Sequence, residues 1–89
     1  MGNVGGFTSF REISKEEKEL FEKVLNGLVG VSYKPLAVAT QVVNGVNYAF
    51  LCDSKVIAPG TESRNDIVTV YKPISGDASI TDIRTIKII

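Results

Sequence analysis

This 89-residue chain predicts an α+β domain, one helix packed on a curved antiparallel sheet of four to five strands. Three observations carry the prediction. The segment from Lys15 to Val29 spaces its apolar residues as one face of a helix, behind a capping sequence. After Tyr33 nearly every run alternates with the period of a strand. The turns between those runs are mostly too short for crossovers, so the strands are antiparallel neighbours. A lone helix beside such strands must bury its stripe on one face of the sheet. At this length residues 1–89 make one domain with one modest core.

The elements follow in order. Met1–Gly6 holds three glycines in six residues and is expected to be a flexible arm. Phe7 to Ile13 is β-prone and could add a short first strand. Ser14-Lys15-Glu16-Glu17 reads as a capping box, in which the Ser14 hydroxyl accepts from the Glu17 amide and the Glu17 carboxylate returns to Ser14. Leu20, Phe21, Val24, Leu25 and Leu28 form the apolar face, with Lys18, Glu19, Glu22 and Lys23 mostly opposite. Gly30 is the expected stop.

Tyr33–Val43 is the first long strand, with Pro35 near its start as suits an edge. Asn44-Gly45 is a strong hairpin signal, because a type I′ turn needs positive φ at both central residues. A two-residue turn pairs Gln41 with Tyr48, Ala39 with Phe50 and Val38 with Leu51, while a bulge would shift that register and flip faces. Val46–Cys52 returns, with Val56 and Ile57 as an extension. Asp53–Asn65 is a polar connection, Asp66–Lys72 a strand, Pro73–Asp77 a second turn, and Ile80–Ile89 the last strand. Val42 and Val43 flank the first turn. They either pack inward in an ordinary hairpin or form an exposed apolar binding tip.

Composition narrows the function. Ten basic and ten acidic residues give zero net charge, so neither nucleic acid nor an anionic membrane is an expected partner. No run is long and apolar enough for a membrane span. There is no histidine, hence no Ser-His, Cys-His or histidine-metal centre, and no glycine-rich phosphate loop. Cys52 is the single cysteine, so no intrachain disulfide forms, and it reads as a small buried hydrophobe. The carboxylates are scattered, and nothing in their spacing brings them together. No catalytic residue, metal or cofactor is expected, and the protein is not read as an enzyme. The N-terminus lacks a basic and apolar leader, and the expected location is the cytoplasm, although a leader removed upstream would leave the same start.

Three separated stretches resemble the cystatins, and among them the single-domain stefins, which lack disulfides. Val4-Gly5-Gly6 is similar to the glycine-bearing N-terminal arm. Gln41-Val42-Val43-Asn44-Gly45 fits the Gln-x-Val-x-Gly loop and is followed by Asn47-Tyr48, as in stefins. Pro73-Ile74-Ser75-Gly76 stands in the place of the second hairpin and loosely resembles the stefin Leu-Pro-Gly loop. The likeness spans nearly the whole chain in the right order. It implies a reversible, competitive inhibitor of papain-like cysteine proteases, whose arm and two hairpins form a wedge in the active-site cleft. On that resemblance Val4, Gly5, Gly6, Gln41, Val42, Val43, Asn44, Gly45, Pro73, Ile74, Ser75 and Gly76 bind the protease. Gln41 would brace the loop rather than touch the enzyme. The alternative is a non-inhibitory binding or structural module on the same fold. The expected state is a monomer, with a domain-swapped dimer through the first hairpin as its competitor.

Overall fold

A computed structural model describes residues 6–86. One helix, α1 (Lys15–Leu25), precedes four strands, β1 (Val31–Val43), β2 (Gly45–Val56), β3 (Arg64–Lys72) and β4 (Ser79–Ile86). The strands form one antiparallel sheet in the order β1-β2-β3-β4. The expected architecture of one helix on an antiparallel sheet is therefore what the chain adopts.

The helix begins as the sequence predicts. Ser14 Oγ accepts from the Glu17 amide at 3.2 Å, and Glu17 Oε1 accepts from the Ser14 amide at 3.0 Å. Arg11 adds a bidentate clamp on the same carboxylate, with Nη1 to Oε1 at 2.9 Å and Nη2 to Oε2 at 2.6 Å. That hydrogen bond is the largest influence holding Glu17 down at a pKa of about 2, against the cost of its burial. The helix ends earlier than expected. Asn26 caps it and Gly27 turns away at φ +97°, so Leu25 is the last helical residue and Leu28 is exposed. Gly27 thus takes the stopping role expected of Gly30: its lack of a Cβ admits the left-handed conformation first.

The sheet reads in rows across its strands. Val38, Phe50, Val68 and Ile83 are mutual partners on the face beneath the helix. Phe21 drops onto this row, its ring centroid 4.7 Å from that of Phe50. Phe21, Val38, Phe50, Cys52, Val68 and Val70 form the buried core. The next row, Ala39, Ala49, Thr69 and Asp82, lies on the opposite face. There Phe7 and Phe10 border a shallow groove of about 370 Å³ floored by the two alanines.

Two strand predictions change in detail. Phe7 to Ile13 makes no full strand; it contributes a single bridge, Arg11 to Val38, plus the Thr8 amide donating to the Thr40 carbonyl at 2.8 Å. The β1–β2 register is also one residue tighter than a two-residue turn allows: Gln41 faces Asn47, Ala39 faces Ala49 and Val38 faces Phe50. The reason is the core. This register puts Val38 and Phe50 together under Phe21, whereas pairing Val38 with Leu51 would split the apolar set between faces. A bulge between Pro35 and Ala37 then shifts the pairing where Pro35 has no N–H to donate. β2 runs on to Val56, and the connection to β3 shortens to residues 57–63.

Candidate functional site

The hairpin tips lie side by side at one end of the sheet. The first is tighter than a type I′ turn. Val43 faces Gly45 directly, leaving Asn44 alone between the strands. Only Gly45 has positive φ, at +115°; no described non-glycine residue does. The expected turn with both Asn44 and Gly45 left-handed is therefore replaced, because the tightened register leaves one residue to reverse the chain.

Gly45 is where the second hairpin meets the first. A Cβ there would stand 2.5 Å from the Lys72 carbonyl oxygen and 3.0 Å from Pro73 Cα. The Tyr71 hydroxyl donates to the Asn44 carbonyl, tying the two tips together. Lys72 closes the second tip, its Nζ donating to the Gly76 carbonyl at 3.2 Å and to the Pro73 carbonyl at 3.4 Å. Gly76 supplies the positive φ that this turn needs.

The result is a pair of braced apolar tips. Val42 is 77% exposed, Val43 42% and Ile74 78%. The inward-packing alternative for these valines is not what the chain adopts. A sheet strains to hide such residues; here β1 and β2 run out beyond the core, and the side chains at their ends have no layer to pack on. Gln41 Oε1 accepts from Asn47 Nδ2 at 2.8 Å, across the strand pair behind the tip. This hydrogen bond ties β1 to β2 behind the first tip.

Of the sequence-predicted site residues, Gln41–Gly45 and Pro73–Gly76 come together in this way. Gly6 is exposed, and the chain from Arg11 back through Thr8 runs antiparallel to β1, toward its Val43 end. Val4 and Gly5 lie outside the described residues. Sequence reading missed Tyr71, which couples the tips, and Lys72, which closes the second. No local pattern marks Tyr71, because its partner lies 27 residues away and is set by the packing of the two hairpins.

The far end of the sheet holds the other polar cluster. Asp66 is fully buried, with Arg64 Nε 3.1 Å from its Oδ2. Burial alone would raise its pKa, but the Thr85 hydroxyl and the Arg64 guanidinium outweigh that and keep the carboxylate low. Ser54 Oγ is buried with no partner at hydrogen-bond distance. Burial, and then the Asp66 charge, push the Cys52 thiol up to about 12, so it is no nucleophile at neutral pH. Among the described residues no group of three or more metal-ligating side chains gathers, and no helix is long and apolar enough to cross a membrane.

No protein-family model matches the chain, and no curated protein matches it in sequence. A solved structure does: a secreted type 1 cystatin from Fasciola hepatica, with a TM-score of 0.70 at 26% identity, covering 93% of this chain and 97% of that one. The chain is cystatin-like. Its single helix and four-stranded antiparallel sheet are those of the cystatin fold.

Proposed function

We propose that this protein is a reversible, competitive inhibitor of papain-like cysteine proteases, of the stefin type. The observation that carries the reading is the juxtaposition of two short, mutually braced hairpins whose tips expose Val42, Val43 and Ile74. A protease cleft of that class is a long groove with a thiolate at its floor. Narrow apolar tips fill such a groove, and tips already fixed by the sheet lose little entropy on entering it. No peptide bond need be presented to the thiolate, so the inhibitor stays uncleaved.

The roles divide by residue. Val42, Val43 and Ile74 bury apolar surface against the cleft. Pro73, Ser75 and Gly76 shape the second tip, and Asn44 and Gly45 the first, while Gln41 holds the strand pair behind it. Val4, Gly5 and Gly6 extend the wedge along the non-primed side, with Val4 as the side chain that enters a pocket. The arm's role rests on the sequence alone. The protein does no chemistry of its own in this reading. A cytoplasmic location goes with it, where a lone cysteine stays reduced.

The test is titration of active papain with the folded monomer, followed by turnover of a peptide substrate. Saturable, reversible inhibition that substrate relieves, with the inhibitor recovered intact, is the expected result. A folded monomer that leaves papain and other proteases of its class uninhibited would make the same tips the surface of a non-inhibitory binding module.

A further inference from the structure

The two edges of the sheet are treated differently. The outer edge of β1 is guarded: Pro35 has no N–H to offer, and Thr8 and Arg11 bond to Thr40 and Val38. β4 hydrogen-bonds to β3, and among the described residues nothing pairs with its other side. An open edge is a row of backbone donors and acceptors, which proteins usually blunt with charge, proline or a bulge. β4 has no proline; its two charges are of opposite sign, and its bulge lies at Thr81. Its sequence is Ile80-Thr81-Asp82-Ile83-Arg84-Thr85-Ile86. Read in either direction from Ile83 it presents the same residue types, except that an acid on one side is a base on the other.

We propose that β4 pairs antiparallel with β4 of a second copy of this chain, about a two-fold axis at Ile83. In that register Asp82 faces the partner's Arg84, Arg84 faces the partner's Asp82, and Ile83 faces its own counterpart. Asp82 and Arg84 lie on the sheet face away from the helix, at 51% and 75% exposure, with Arg84 Nε 3.8 Å from Asp82 Oδ2. Pairing joins the two ion pairs into one alternating cluster of four charges. On the other face Ile83, now 41% exposed, is covered by its counterpart and extends the row of Val38, Phe50 and Val68 into the second molecule.

The charges also choose the register. A slip by two residues in one direction sets Asp82 against Asp82, and in the other Arg84 against Arg84. A slip by one residue sets Ile83 against Arg84 and turns the second helix to the opposite face. The bulge in the β3–β4 pairing falls at Thr81, outside the central run Asp82–Arg84 that makes these contacts. Ser79 lies opposite Tyr71, near the hairpin tips, and Ile86 opposite Asn65 at the far end. The two pairs of tips therefore point in opposite directions and both remain open. The inference does not rest on the proposed inhibitory function.

One strand pair is a small interface, so association is weak and reversible, and it is measured at up to millimolar concentration. Sedimentation equilibrium of the full chain is expected to show monomer and dimer in exchange. Arg84→Asp and Asp82→Arg, both at exposed positions, should each weaken self-association by about tenfold or more, since each sets like charges opposite at both ends of the pair. An equimolar mixture of the two variants should associate again, because every charge then meets its opposite. Circular dichroism checks that both variants fold. A chain that stays monomeric at millimolar concentration overturns the proposal, as do folded single variants that dimerise like the parent, or a mixture that remains monomeric. Dimerisation indifferent to both charges would indicate exchange of the first hairpin instead.

Discussion

Gly45 combines two demands that no other residue type meets. Its φ is +115°, and the Lys72 carbonyl stands where a Cβ would point. Gly45→Ala is expected to destabilise the protein by roughly 2–3 kcal/mol, because it adds backbone strain and pushes the hairpins apart. Gly60 is the control. Its φ is +78° with open space around it, so Gly60→Ala should cost only about 1 kcal/mol. Chemical denaturation of both variants decides; equal losses would remove the close approach from the explanation. Val43 is the opposite case. At 42% exposure it contributes little to the core, so Val43→Asp should leave the melting temperature nearly unchanged while weakening papain inhibition by about tenfold or more. A collapse of stability would return Val43 to a packing role.

At the scale of elements, α1 is held by its first turn and by one aromatic contact. Losing the Ser14 hydroxyl leaves an amide without its partner, and Ser14→Ala should cost about 1 kcal/mol in denaturation. Phe21→Ala opens the centre of the core against Phe50, and at about 3–5 kcal/mol it should leave much of so small a domain unfolded. The Arg11 clamp makes stability depend on pH. The folded pKa of Glu17 is depressed from an ordinary 4.5 to about 2. The clamp's contribution is therefore complete above the unfolded value and is lost as pH falls from 4.5 toward 2. Wild type and Arg11→Met should differ at pH 6 and converge at pH 2; a constant difference would mean that Arg11 acts by packing alone. The N-terminal arm is a separable element. Deleting residues 1–5 removes none of the bonds that Thr8 and Arg11 make to β1, so folding should be intact and inhibition weaker. Undiminished inhibition would sink the arm's assigned role.

At the scale of the whole molecule the two proposed surfaces lie at different places on the sheet. At one end its strand ends carry the braced tips. Along one side its last strand is left open, with charges that favour a like partner over a repelled one. The two are spatially independent, so a dimer through β4 should bind protease at both ends. Isothermal titration at concentrations spanning monomer and dimer should give one protease per chain throughout. A stoichiometry that falls to half in the dimer would mean that pairing hides a tip.

The sequence alone determined the elements whose signals are local. The capping box at Ser14 and Glu17, the helical spacing around Phe21 and the period-two runs from β1 to β4 all rest on contacts within a few residues, and they stand within two residues of where they were expected to begin; the expected end of the last strand at Ile89 lies outside the described residues. The hairpin at Asn44 and Gly45 was legible in place but not in shape. Only the tertiary structure decided the register, because a one-residue slip changes no local preference yet moves every side chain to the other face. The helix end at Gly27 was decided in the same way, against the sequence's preference for Gly30. The coupling of the tips through Gly45, Tyr71 and Lys72 was invisible for the same reason: it joins residues far apart in the chain, and only the packing of Val38 and Phe50 beneath Phe21 fixes which of them meet.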